Sequence, residues 1–194
     1  MNTELLTDRI TRCQQHVERE PESAAARFNL GLAYTARGLV DRAEREYRAA
    51  VTIDAALVEA WVNLGGVLLL KWDFEGAVAA LEQAVTRRPD LVDAHYNLGQ
   101  AHLYRGDAQA LVTSCRRVLD LQPDHAAGHY FLAVGLLALG DIEAARASSG
   151  RAVALGYRPL PEFLRRLEQC DRVQSPGKPA RDVEAAASLP SKEN

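Results

Sequence analysis

Long apolar runs are missing from this chain. Runs such as Val67 to Leu70, with the glycines just before it, are far too short to cross a bilayer, so no membrane insertion is expected. Cysteine is scarce: Cys13, Cys115 and Cys170 are far apart, odd in number and without a Cys-x-x-Cys pair. That argues against a disulfide framework and for buried free thiols in a reducing compartment. The N-terminal stretch MNTELLTDRITRCQQ is polar and lacks the apolar core of a signal peptide. A cytoplasmic location is the expectation. Charge of one sign is lacking as well. The net charge of −3 provides no basic face to displace counterions, so no nucleic acid is expected as a partner.

Motifs that carry chemistry are absent too. There is no Gly-x-Gly-x-x-Gly after a strand, no phosphate loop and no His-Glu-x-x-His; Gly177-Lys178 is followed by Pro179 and is no phosphate loop. Cys13 and His16 are three apart, but no oriented base or oxyanion site accompanies them. No cofactor and no catalytic residue are expected. Aromatics make up only 6% of the chain, against 47% hydrophobic and 25% charged residues, with alanine and leucine dominant. This mix suits a soluble fold and favours helix over sheet.

What is present is a period. Asn-Leu-Gly occurs at Asn29-Leu30-Gly31, Asn63-Leu64-Gly65 and Asn97-Leu98-Gly99, 34 residues apart each time, and one more step reaches Phe131-Leu132-Ala133. Such a period marks a repeat architecture. Units of 24–57, 58–91, 92–125 and 126–159 follow. Each holds a first helix (Phe28, Leu30, Ala33 and Tyr34 in unit one) and a second (Ala43, Tyr47, Ala50 and Val51). Gly31, Gly65 and Gly99 are expected to let two helices approach closely. Gly38, Gly106 and Gly140 suit a left-handed helix end, and Pro89 and Pro123 end second helices. Residues 3–19 read as a helix with an apolar stripe of Leu5, Leu6, Ile10, Cys13 and Val17, ended by Pro21; residues 1–22 would be an N-terminal capping helix. Residues 160–172 would form a C-terminal capping helix with Phe163, Leu164 and Leu167 facing in. Residues 173–194, rich in serine and proline, are expected to be a disordered tail.

The pattern resembles the tetratricopeptide repeat family. In the second unit Trp61, Leu64, Gly65, Ala77, Leu81, Ala84 and Pro89 match the family's consensus; in the first, Leu30, Gly31, Tyr34, Gly38, Ala43, Tyr47 and Ala50 do. The chain departs from it where Arg27 replaces a large apolar residue, Trp72 the turn glycine, Ala55 and Tyr157 a proline, and Ala133 the packing glycine. The resemblance implies an all-α right-handed superhelix of about four helix-turn-helix repeats, non-enzymatic, whose first helices line a concave surface.

On that surface the resemblance places Phe28, Asn29, Leu32, Asn63, Tyr96, Asn97, Gln100, Tyr130 and Phe131. The carboxamides can grip a peptide backbone, donating and accepting, while the aromatic rings bury apolar side chains. The expectation is an adaptor, scaffold or assembly factor with a protein or peptide partner. The carboxylate clamp of arrays that bind chaperone C-termini is not implied, because its five sites here hold Phe28, Leu32, Asn63, Asp93 and Asn97 and only Asn63 matches. Two alternatives remain: a self-assembling homo-oligomer, and a metal-dependent enzyme using His95, His102 and His129. The histidines occupy packing positions shared with Trp61 and Tyr34, which favours a core role. Acidic pairs such as Glu44 and Glu46 read as a solvated face, with Asp41–Arg45 and Glu44–Arg48 as i, i+4 pairs.

Overall fold

The computed structural model describes the backbone of residues 3–174 and the side chains of residues 8–170. All its regular elements are helices. The expected capping contacts of Leu5 and Leu6 lie outside the described residues, as does the expected disordered tail of 173–194 except for its first two residues, Val173 and Gln174, which continue the last helix instead. The chain divides into two units, residues 1–159 and 160–194.

The first unit opens with α1 (Thr3–Arg19). Four helix pairs follow: α2 (Ala24–Ala36) with α3 (Val40–Ile53), α4 (Val58–Leu70) with α5 (Phe74–Arg87), α6 (Val92–Arg105) with α7 (Ala108–Leu121), and α8 (Ala126–Ala138) with α9 (Ile142–Ala154). First helices begin 34 residues apart, and so do second helices. Each second helix also packs on the first helix of the next pair, and α1 packs on α2 in the same way. Residue 17 of α1 is 34 before Val51, and Val17 joins the core beside Leu30, Tyr34 and Tyr47. Alternating contacts of this kind build a solenoid with a continuous core. The second unit holds α10 (Pro161–Gln174), with Phe163 and Leu167 buried.

Local chemistry sets the helix ends. Asp73, Asp107 and Asp141 each accept a hydrogen bond from a first-turn amide, of Gly76, Ala110 and Ala144 respectively. These are N-caps, and they recur every 34 residues. Between the paired helices, Gly38, Gly106 and Gly140 take φ of 69°, 74° and 82°. The equivalent residue of the second repeat is Trp72, which adopts φ 63° all the same. The tertiary fold thus holds a bulky side chain in a region normally left to glycine.

The packing glycines are not equivalent. A Cβ on Gly31 would lie 2.6 Å from the Tyr47 ring, and one on Gly65 2.5 Å from Leu81 Cγ. On Gly99 it would meet nothing nearer than 3.5 Å, an ordinary contact with Ser114. Gly99 is therefore not the close-approach residue that the period predicts. The knob facing it has shrunk from Tyr47 and Leu81 to Cys115, and in the fourth repeat Ala133 is matched by Ser149, smaller still.

The expected solvated face also needs correction. Glu44 is 6% exposed. It pairs with Arg48, as the helical spacing predicts, and also with Lys71 of the next repeat at 2.6 Å. Lys71 binds Asp41 at 2.7 Å, so Asp41 contributes to an inter-repeat cluster beside its predicted Arg45 neighbour. The hydrogen bond and charge of Lys71 hold the Asp41 carboxyl below its ordinary range.

Candidate binding surface

The fourth position of each repeat explains Arg27, which looked like a departure in the sequence. Trp61 Nε1 donates to the Ala55 carbonyl at 3.0 Å, His95 Nε2 to Pro89 at 2.9 Å and His129 Nε2 to Pro123 at 2.8 Å. Arg27 Nε donates to Pro21 at 3.4 Å. Each bond reaches back six residues to the carbonyl that precedes the repeat. What the position conserves between repeats is a side-chain N–H, and a carbonyl can only accept, so both imidazoles carry their proton on Nε2. Arg117 adds two further bonds to the Pro89 carbonyl.

The remaining candidates for chemistry are likewise absorbed by packing. His102 is buried, with Nδ1 unpartnered among the described residues, and burial lowers its pKa from the ordinary 6.5. Burial pushes the Cys115 thiol up to about 12, far from a reactive thiolate. Among the described residues no group of three or more His, Cys, Asp or Glu could hold a metal ion.

The first helices α4 and α6, and α6 and α8, lie side by side, so their outward rows form one surface. Tyr96 and Phe131, from neighbouring first helices, meet with ring centroids 5.7 Å apart. Tyr96 also lies 5.1 Å from the His125 ring, and His125 Nδ1 caps α8 by accepting from the Gly128 amide. Both Tyr96 and Phe131 are half-buried, as are Asn97 and Gln100 on the same row. The carboxamide of Asn97 has no side-chain partner among the described residues, and Asn29 is exposed.

Other candidates are differently placed. Asn63 donates one Nδ2 proton to the Glu59 carbonyl of its own helix at 2.8 Å, leaving the carboxamide oxygen and the second Nδ2 proton. Phe28 packs on Tyr47 at 5.9 Å, and Leu32 lies against the same core. Tyr130 is 5% exposed, stacked on Tyr157 at 4.6 Å and 24°. Tyr157 stands where the preceding repeats have Pro89 and Pro123, so a change of the repeat-ending residue covers a ring that the spacing alone would leave open. Of the nine expected residues Tyr130 alone is buried; Asn29 is exposed and the other seven are half-buried, with Tyr96 and Phe131 the pair whose rings meet between neighbouring first helices.

A feature that the inner-surface reasoning missed lies at the turns between paired helices. Trp72 is 75% exposed; its ring lies 6.0 Å from Phe74 and 6.1 Å from Tyr104. Phe74 and Tyr104 stack at 5.0 Å and 11°. The signal was a tryptophan at a glycine's place in the period.

Repeat phase, packing and inner row together define a class: helical-repeat proteins, typically non-enzymatic, that serve as protein-interaction modules. Sequence families agree. A tetratricopeptide repeat family matches residues 14–57, another matches 92–125, and one described as TPR repeat matches 73–106. The chain is a tetratricopeptide repeat protein. No curated protein sequence matches it.

Solved structures share the fold. The crystal structure of MamA superposes with a TM-score of 0.72 at 19% identity, covering 75% of this chain and 85% of MamA. YrrB, described as a TPR protein with an unusual peptide-binding site, gives 0.73 at 18% identity over 87% of this chain and 84% of its own. PilF of Pseudomonas aeruginosa gives 0.71 at 20% identity, over 88% and 82%. Among the described residues, no helix is long and apolar enough to cross a membrane.

Proposed function

We propose that the chain is a non-enzymatic adaptor or scaffold that holds an apolar or amphipathic peptide segment against its inner row of first helices. The observation that carries this reading is the pairing of Tyr96 and Phe131 at 5.7 Å beside the Asn97 carboxamide. Half-exposed rings take apolar side chains, and a carboxamide next to them satisfies a peptide N–H or C=O that would otherwise be buried unpaired. The peptide-binding site described for YrrB supports the reading by analogy of fold. Asn63 would act through its carboxamide oxygen and its second Nδ2 proton, and Tyr130 would support Phe131, its ring 5.4 Å away.

The test is affinity capture from a cell lysate with the wild type and with Asn97→Ala/Phe131→Ala, both shown to be folded by circular dichroism. The expected result is loss of the bound proteins with the variant. An unchanged set of captured proteins would overturn the groove reading.

A further inference from the structure

We propose that two copies of this chain pair antiparallel, about a two-fold axis, along the edge that carries the turns between paired helices. Five of the seven large exposed apolar side chains described in the first unit lie there: Leu39 at 37%, Leu70 at 65%, Trp72 at 75%, Tyr104 at 56% and Leu139 at 46%; the other two, Ile53 and Val153, lie at the C-terminal ends of second helices. Soluble proteins rarely leave so much apolar surface together unless something covers it. Neighbouring repeats meet on this edge, through Lys71 with Asp41 at 2.7 Å and Trp72 with Tyr104 at 6.1 Å. At its middle, between repeats two and three, sits the Trp72–Phe74–Tyr104 cluster, held up by a tryptophan at positive φ. A bulky residue kept in that strained region at an exposed turn is a mark of function.

The occupant follows from symmetry and charge. Leu39 of repeat one and Leu139 of repeat four flank the aromatic centre on either side. A two-fold axis through the centre brings Leu39 onto Leu139 of the second copy and lays one aromatic cluster on the other, as a self-complementary interface requires. The ends of the edge carry opposite charge. The first turn has exposed Arg37 and Arg42, its Asp41 being engaged by Lys71; the fourth has Asp141 and Glu143, both exposed. Between them, Lys71 is matched by Asp41 and Glu44, and Arg105 by Glu75 at 3.6 Å. The antiparallel arrangement sets the arginine end of each copy against the acidic end of the other, while a parallel one would oppose like charges. The pairing is independent of the inner row and leaves it open.

Sedimentation of the full chain over a concentration series tests this. The wild type is expected to form a reversible dimer that weakens with salt. Trp72→Gly, which suits the turn's backbone, is expected to raise the dimer's Kd by at least about tenfold with helical content unchanged. Arg37→Glu and Glu143→Arg are each expected to weaken it roughly fivefold, and the two together in one chain to restore it. Restoration requires the two sites to meet between copies, which a merely structural effect of either change would not produce. A chain that stays monomeric to its highest soluble concentration overturns the proposal and gives the edge to another protein or to residues 175–194. A dimer unaffected by Trp72→Gly, or a double reversal that fails to restore it, overturns the proposal equally.

Discussion

The first two repeats and the last two have the same helix phase but solve the same contact differently. In the first half a glycine faces a large knob, Gly31 against Tyr47 and Gly65 against Leu81, with less than 3 Å to spare for a Cβ. In the second half the knob is Cys115 or Ser149, and the socket relaxes to Gly99 with room to spare and then to Ala133. The lesson is that the glycine socket is required only where the facing knob is large; once the knob shrinks, the socket is free to relax. Another local change appears where Tyr157 replaces a repeat-ending proline and covers Tyr130.

This comparison can be broken most directly at the sockets. Gly65→Ala is expected to destabilise by about 2 kcal/mol, since its Cβ would sit against Leu81 Cγ rather than a flexible tip. Gly99→Ala, at the equivalent position, is expected to be neutral or to stabilise by up to about 1 kcal/mol through helix propensity. Urea unfolding of both variants checks this, and equal losses would sink the socket argument. A smaller effect is expected at His102, whose place is taken by Leu68 and Leu136 in the flanking repeats. Its pKa is lowered in the fold, chiefly by burial, with Asp107 and Glu82 opposing and Arg105 assisting. The unfolded chain therefore binds a proton first as pH falls below about 6.5, and stability drops over that range. His102→Leu is expected to raise stability by about 1 kcal/mol at neutral pH, by removing an unpartnered buried nitrogen, and to flatten the acid-side loss. Unfolding midpoints at pH 7.5 and 5.5 decide it; an unchanged pH slope would assign the loss to other groups.

The smallest effect is expected at the turns. Replacing Trp72 by glycine relieves a positive φ, worth roughly 1 kcal/mol, and removes ring contacts of similar size, so the net change should stay within about 1 kcal/mol. A much larger loss would mean that the aromatic cluster binds repeats two and three together, rather than waiting for a second copy. Thermal unfolding beside the sedimentation experiment separates these outcomes.

Much of this was legible in the chain. The 34-residue spacing of Asn-Leu-Gly sets the phase of all eight paired helices, because a fixed offset returns each side chain to the same face of the same helix. The N-capping aspartates and turn glycines recur in the same phase. Arg27 was misread because it was compared by hydrophobicity, whereas the shared property of Arg27, Trp61, His95 and His129 is a long side chain ending in an N–H. Glu44 was misread because its helix predicts Arg48, while Lys71, 27 residues away, decides its burial.

Sequence by itself determined the repeat, the helices and the packing faces, since these depend on spacing within one chain segment and on the conformational preferences of single residues. Only the tertiary structure decided which members of the inner row stay accessible: Asn97 and Phe131 do, Tyr130 does not, and Asn63 commits one carboxamide proton to its own helix. Exposure is set by how large the neighbours are one repeat away and how closely they pack, and no period records that. The same holds at the turn edge, where Trp72 of one repeat and Tyr104 of the next became one aromatic surface because packing, not sequence distance, brought them to 6.1 Å.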